Sequence, residues 1–241
     1  MDVYTLFTDL GSIPYLKALE YQEKLFNEIL HIKKCNEELP QCEKQVQYNH
    51  LLFCEHPHVY TLGKSGDQSN LLIDSIQLAA KNAEFVKTNR GGDITYHGPG
   101  QLVGYPILDL EGLHLGTKQY IEKMEDAIIL TLKEYGINAY RKSDAIGVWL
   151  AETADKSERK IAAIGVKISR QVSMHGFALN ISTNMDYFNF INPCGFIDKG
   201  VTSMEKELGY IPDLKEIKSK ILNHLVQQLE LNLYHFEEPR N

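Results

Sequence analysis

Cysteine is scarce in this 241-residue chain. There are four, Cys35, Cys42, Cys54 and Cys194, and no two form a C-x-x-C pair, which excludes a zinc ribbon or a thioredoxin-like redox motif. In a reducing compartment the default for them is four free thiols. No apolar run approaches the roughly eighteen residues of a membrane-spanning helix. Met1 to Thr5 lacks the basic start and long apolar stretch of a signal peptide, so a cytoplasmic location and no membrane partner are expected. Positive charge is also short. Lys and Arg number 25 against 32 Asp and Glu, a net charge of −7, which argues against a nucleic-acid partner while leaving room for a local basic patch. Low-complexity tracts, internal repeats and linkers are missing too.

What is present is ordinary globular material, 43% hydrophobic and 24% charged, enough for one sizeable core. A single domain over residues 1–241 is expected. Ser12-Ile13-Pro14 reads as a helix start, with Ser12 as cap and Pro14 in the first turn, and the helical pattern runs to about Glu38. Strands are expected at Asn49–Cys54, His58–Leu62, Phe85–Thr88 and Leu102–Leu108, where Pro106 marks an edge or the strand's end. Ile121, Met124, Ile128 and Leu132 place a helix over Thr117–Tyr135, stopped by Gly136. Further strands are read at Ala139–Tyr140, Ile146–Leu150, Ile161–Ile168 and Phe177–Ile181, then a helix over Pro212–Leu231 and a last strand at Leu233–Phe236. Many strands among few helices disfavour a doubly wound parallel sheet. The fold class expected is α/β (α+β), a mixed, largely antiparallel sheet flanked by helices.

Four blocks carry chemistry. In Arg90-Gly91-Gly92-Asp93-Ile94-Thr95-Tyr96-His97-Gly98-Pro99-Gly100-Gln101, glycines bare the backbone beside a cation, a hydroxyl and an imidazole. By spacing alone this is either a tight turn between strands or a ligand loop; it fits neither a Walker A loop nor a dinucleotide-binding turn. Lys160-Ile161-Ala162-Ala163-Ile164-Gly165 is a small-residue strand opened by a lysine. Ala162, Ala163 and Gly165 leave room for an apolar chain or for another packed element. His175-Gly176-Phe177-Ala178 is a strand entered by a turn, its histidine either structural or functional. Asn192-Pro193-Cys194-Gly195 sets a cysteine in a turn, where catalytic groups often sit. Cys54, in an apolar strand, is most simply a small core residue.

Together these blocks resemble the LipB family of lipoyl(octanoyl)transferases. Arg90 to Tyr105 is similar to the family signature, Lys160 to Gly165 to the segment with its catalytic lysine, and Pro193-Cys194-Gly195 to the segment with its acyl-accepting cysteine. Glu55 to Gly63 is similar to its N-terminal strand region. The likeness runs from about Gly11 to Glu207. It departs at Asp93, where many members have Gln or Glu, and in a longer Lys33–Gln47 segment.

The resemblance implies the fold of biotin and lipoate protein ligases. It implies that Cys194 forms an octanoyl thioester and that Lys160 lowers its pKa. A free cysteine titrates near 8.5, and a depression of two units requires roughly 2.7 kcal/mol of differential stabilisation. It implies a substrate pocket of Arg90, Gly91, Gly92, Asp93, Ile94, Thr95, Tyr96, His97, Ala163, Ile164, Gly165, Gly176, Phe177 and Ala178, with His97 and His175 as orienting groups and no metal or cofactor. The implied donor is octanoyl-acyl carrier protein. The implied acceptors are lipoyl domains of 2-oxoacid dehydrogenase E2 subunits and the glycine cleavage H protein. Because such carriers are acidic, a basic rim is expected at Lys64, Arg90, Lys167 and Arg170. The rival readings are an ATP-dependent ligase of the same fold, an octanoyl amidotransferase and a non-catalytic carrier-binding module.

Overall fold

The computed structural model describes residues 4–192 and 200–234. The strands are β1 (Tyr4–Ser12), β2 (Tyr48–Glu55), β3 (Val59–Leu62), β4 (Glu84–Lys87), β5 (Ile94–His97), β6 (Gln101–Ile107), β7 (Ala139–Arg141), β8 (Val148–Leu150), β9 (Arg159–Ser169), β10 (Val172–Asn180), β11 (Gly200–Val201) and β12 (Asn232–Leu233). The helices are α1 (Tyr15–Glu38), α2 (Ser75–Ala80), α3 (Thr117–Glu134), α4 (Met204–Leu208) and α5 (Leu214–Gln228). A large mixed sheet runs β12-β1-β2-β6-β10-β9-β8-β7, with β11 beside β9, and a small sheet runs β4-β3-β5. Pairs from β2–β6 through β7–β8 are antiparallel, while β1–β2, β1–β12 and β9–β11 are parallel. This is the α+β arrangement expected.

The central strands are buried on both faces, which is why they read as near-continuous apolar runs. Along β2, Leu51 and Phe53 face one core and Leu52 and Cys54 the other. The first core is closed by α3 and α5 through Met124, Ile128, Leu132, Ile217, Ile221 and Leu225. The second is closed by α1 through Ala18, Leu25, Phe26 and Ile29. Gly136, at φ +75°, stops α3 as its position required. Pro106 does not mark an edge as expected: β6 is a central strand and Pro106 pairs with Leu51 of β2. On the other side it lies past the last β6–β10 rung, Gly104 to Phe177, so its missing N–H breaks no rung there.

Some expectations need correcting. Ser12 does not cap α1: it closes β1, paired with Glu55, and the helix begins after Pro14 with no side-chain cap. The helix expected over Pro212–Leu231 is shorter, capped by Asp213, which accepts from Lys215 N–H at 2.9 Å. The last strand is confined to Asn232–Leu233; residues 235 and 236 lie outside the described residues. The Lys33–Gln47 segment is clasped at both ends by Asp109, which accepts from Lys33 Nζ and, at 3.0 Å, from Gln47 Nε2. Among the described residues no helix is long and apolar enough to cross a membrane.

Candidate active site

A cavity of about 1000 Å³ lies between the small sheet, the glycine loop and strands β9 and β10. Leu72 and Ile146, 58% and 52% exposed, stand at its mouth with exposed Gly92, Asp144 and Asn189. Tyr105, His97 and His175 line its buried end.

The glycine loop is docked on β9 by backbone contacts that only small residues permit. Gly91 N–H donates to Val166 O at 2.8 Å. A Cβ on Gly165 would stand 3.0 Å from Gly91 O, and one on Gly63 only 2.2 Å from Gly92 O, while Gly92 itself has φ +82°. Much of the room at Gly165 is therefore taken by the loop. Of the three small β9 residues singled out, Ala163 and Gly165 line the cavity; Ala162 is buried in the α3–α5 core instead.

Arg90 is buried, not part of a rim. Its guanidinium donates to Thr61 O at 2.6 Å, to Thr61 Oγ1 at 2.9 Å and to Gly91 O at 3.0 Å. His97 Nδ1 donates to Gln101 Oε1 at 2.7 Å, since the Gln101 amide nitrogen already donates to Tyr96 O and Asn180 Oδ1. Its Nε2 then accepts from the Thr61 hydroxyl at 3.4 Å. His175, in a left-handed conformation at φ +61°, sets Nε2 against Asn89 Oδ1 at 2.7 Å. Its Nδ1 has no hydrogen-bond partner among the described residues. Burial first, and nearby positive charge second, lower both imidazoles to a pKa of about 3. His56 is lowered to about 4 by burial; it donates from Nδ1 to Ile13 O and accepts at Nε2 from Tyr105 OH. All three rings are neutral at physiological pH, and those of His97 and His175 form polar wall of the cavity.

Lys160 opens β9. Its Nζ donates to Ile146 O at 3.1 Å and lies 4.6 Å from the centroid of the Trp149 ring. Val201 of β11 is its partner in register, and Thr202 N–H donates to Lys160 O at 2.9 Å. Glu207 of α4 holds this corner. It accepts from Arg159 at 2.7 and 2.8 Å, and those bonds lower its pKa to about 2. Cys194 lies outside the described residues, but Asn192 and Gly200, which flank its segment, both line the cavity that Lys160 lines.

Arg90, Gly91, Gly92, Asp93, Ile94, Thr95, His97, Ala163, Ile164, Gly165, Gly176, Phe177 and Ala178 all reach this cavity, as does His175. Tyr96 does not: strand alternation turns it into the small-sheet core, where it is fully buried against Tyr60 and Tyr187. Of the rim candidates, Lys64 is exposed beside the loop, its N–H donating to Arg90 O. Lys167 and Arg170 lie along β9 and beyond it, about 20 Å or more from Lys160 at a strand's rise per residue. Sequence reading missed Tyr15, Leu72, Gln101, Tyr105 and Trp149 as wall residues. Gln101 and Tyr105 lay within the Arg90 to Tyr105 stretch that carries the resemblance; the others carried no local signal.

The profile of the lipoyl protein ligase A/B catalytic domain matches residues 14–226. The chain is 52% identical to an octanoyltransferase of Flavobacterium johnsoniae over 228 residues, covering 93% of this chain and 96% of that protein. It is 48% identical to an octanoyltransferase of Cytophaga hutchinsonii, covering 95% and 93%. Among solved structures, a putative lipoate protein ligase from T. acidophilum with bound lipoic acid superposes with a TM-score of 0.64 at 12% identity, covering 97% of this chain and 88% of that one. Biotin protein ligase from Aquifex aeolicus, in complex with biotin and ATP, gives 0.53 at 15% identity over 94% and 70%. At such identities these two structures speak to the fold alone.

Proposed function

Since the chain belongs to the lipoyl protein ligase A/B catalytic family, among octanoyltransferases, and is a transferase, we propose that it moves an octanoyl group from octanoyl-acyl carrier protein to a lysine of a lipoyl domain through a Cys194 thioester. The acceptors would be the lipoyl domains of 2-oxoacid dehydrogenase E2 subunits and the glycine cleavage H protein. Residues 1–241 act as one catalytic domain, a reading supported by the span of the family match.

The observation that carries the reading is a meeting of three chain segments at one cavity. Lys160 from β9, Asn192 before Cys194 and Gly200 after it all line it. An ammonium beside the thiol favours thiolate. The thiolate attacks the donor thioester carbonyl, the phosphopantetheine thiol departs with a proton, and the octanoyl group rests on sulfur. The neutral acceptor lysine then attacks, its proton leaves, the amide forms and the Cys194 thiolate is released. Thioester exchange is nearly balanced and amide formation runs downhill, so neither step calls for ATP. Ala163, Ile164, Phe177 and Ala178 give the tail an apolar wall, while Lys160 serves proton transfer in both halves.

Purified protein incubated with octanoyl-acyl carrier protein without ATP is expected to gain one octanoyl mass on the Cys194 peptide. Cys194→Ser should lose it, and Lys160→Ala should acquire it more slowly. If wild-type protein stays unmodified, yet a lipoyl domain is acylated once ATP and free octanoate are supplied, the protein is a ligase and this mechanism is wrong.

A further inference from the structure

A short strap joins the glycine loop to the chain that precedes Cys194. Asp93, on the loop, accepts from Ile94 N–H at 2.6 Å with one carboxylate oxygen and from Asn70 Nδ2 at 2.7 Å with the other. The carboxylate fills space left by a glycine, since a Cβ on Gly66 would stand 2.5 Å from Asp93 Oδ1. Asn70 closes a single 3-10 turn, Gln68–Asn70, capped by Asp67. Its carbonyl oxygen accepts from Asn192 N–H at 2.9 Å. One step along, Leu71 bridges Ile191 in antiparallel fashion, and Leu72 N–H donates to Phe190 O at 2.9 Å. Residues 70–72 thus seat residues 190–192, and the side-chain hydrogen bond from Asn70 to Asp93 ties that seat to the glycine loop. Asp93 is also one of the two places where the sequence departs from the pattern it resembles.

We propose that Asp93 and Asn70 are positioning residues, whose hydrogen bond fixes the place of Asn192, two residues before Cys194 in the sequence. The proposal rests on the acyl-enzyme reading. Neither side chain is assigned contact with the reacting atoms. They act by setting the reach of the nucleophile, and a displacement of about 1 Å at a reacting centre is enough to cost up to a hundred-fold in rate.

The test has two arms. In single-turnover acylation of Cys194 by saturating octanoyl-pantetheine, Asn70→Ala and Asp93→Ala should each lower the maximal rate constant by about ten-fold or more, and Asn70→Ala, which removes no cavity-lining side chain, should leave the half-saturating donor concentration unchanged. Asn70→Asp, which sets two carboxylates together, should be as slow. The swapped pair Asn70→Asp with Asp93→Asn should recover the rate to within about three-fold, because the donor and acceptor have only exchanged places. Wild-type rates in the alanine variants, or a swapped pair no faster than Asn70→Asp alone, would overturn the proposal. The second arm follows amide hydrogen exchange at Leu72 and Asn192 by NMR, expected to quicken in Asp93→Ala. It needs no chemistry. If wild-type Cys194 is never acylated, the transferase mechanism fails by itself, while unchanged exchange at both amides in Asp93→Ala overturns the strap.

Discussion

At the scale of single residues, the buried histidines at and behind the cavity are held neutral at a cost that depends on pH. His56, His97 and His175 titrate near 6.5 when unfolded and at about 4, 3 and 3 in the fold, chiefly because of burial. Between those values the unfolded chain binds more protons than the native one, so stability rises with pH and falls on acidification. The penalty is absent above about 6.5 and reaches on the order of 2 kcal/mol per buried imidazole by pH 5. His50 and His58, also lowered by burial, act in the same direction. Thermal melts should therefore show Tm falling by several degrees from pH 7 to pH 5, and His97→Gln should flatten the slope. A Tm that stays level across this interval, or a slope the same in wild type and His97→Gln, would mean that these rings are not held neutral.

At the scale of elements, catalytic geometry depends on how closely the loop after β4 approaches β3 and β9. Gly63, just past β3, is the tightest point: a methyl there meets the Gly92 carbonyl oxygen at 2.2 Å, backbone against backbone. Gly63→Ala is expected to lose roughly 1–3 kcal/mol, the usual cost of overpacking, and to slow Cys194 acylation by moving the loop. A variant with wild-type urea midpoint and wild-type acylation rate would show that the approach is looser. The same elements show what the sequence disclosed. Helix α3 was legible because its apolar spacing and its Gly136 stop are both local signals. Strand β1 was not: it lies beside an edge, half-buried, and Ser12-Ile13-Pro14 imitated a helix start although Ser12 was still paired with Glu55. A motif names residues consecutively, whereas a strand sends neighbours to opposite faces. Thr95 and His97 reach the cavity, and Tyr96 between them goes to the core. Tyr15 and Trp149 come to the cavity from distant elements, and nothing near them in sequence announces it.

At the scale of the whole molecule, the proposed reaction asks a chain of net charge −7 to admit an acidic carrier to the mouth of its cavity. Charges farther than about 8 Å from the contact are largely screened at physiological ionic strength. The carrier therefore meets the local surface more than the total. At the mouth stand Leu72, Ile146, Asn189 and Asp144, and Lys64 is exposed where the chain meets the glycine loop, its N–H donating to Arg90 O. Arg90 is buried, and Arg170 stands at the far end of β9. Charge reversal should therefore separate the rim candidates by place. Lys64→Glu is expected to slow acylation from octanoyl-acyl carrier protein by about three- to ten-fold, the effect of a rim charge on association. It should leave acylation from octanoyl-pantetheine, which carries no protein, unchanged. Arg170→Glu should alter neither rate. Equal slowing by Lys64→Glu and Arg170→Glu would point to repulsion by the whole molecule. Slowing by Arg170→Glu alone would move the docking surface to the opposite end of β9, away from the mouth that Lys160 and Ile146 define.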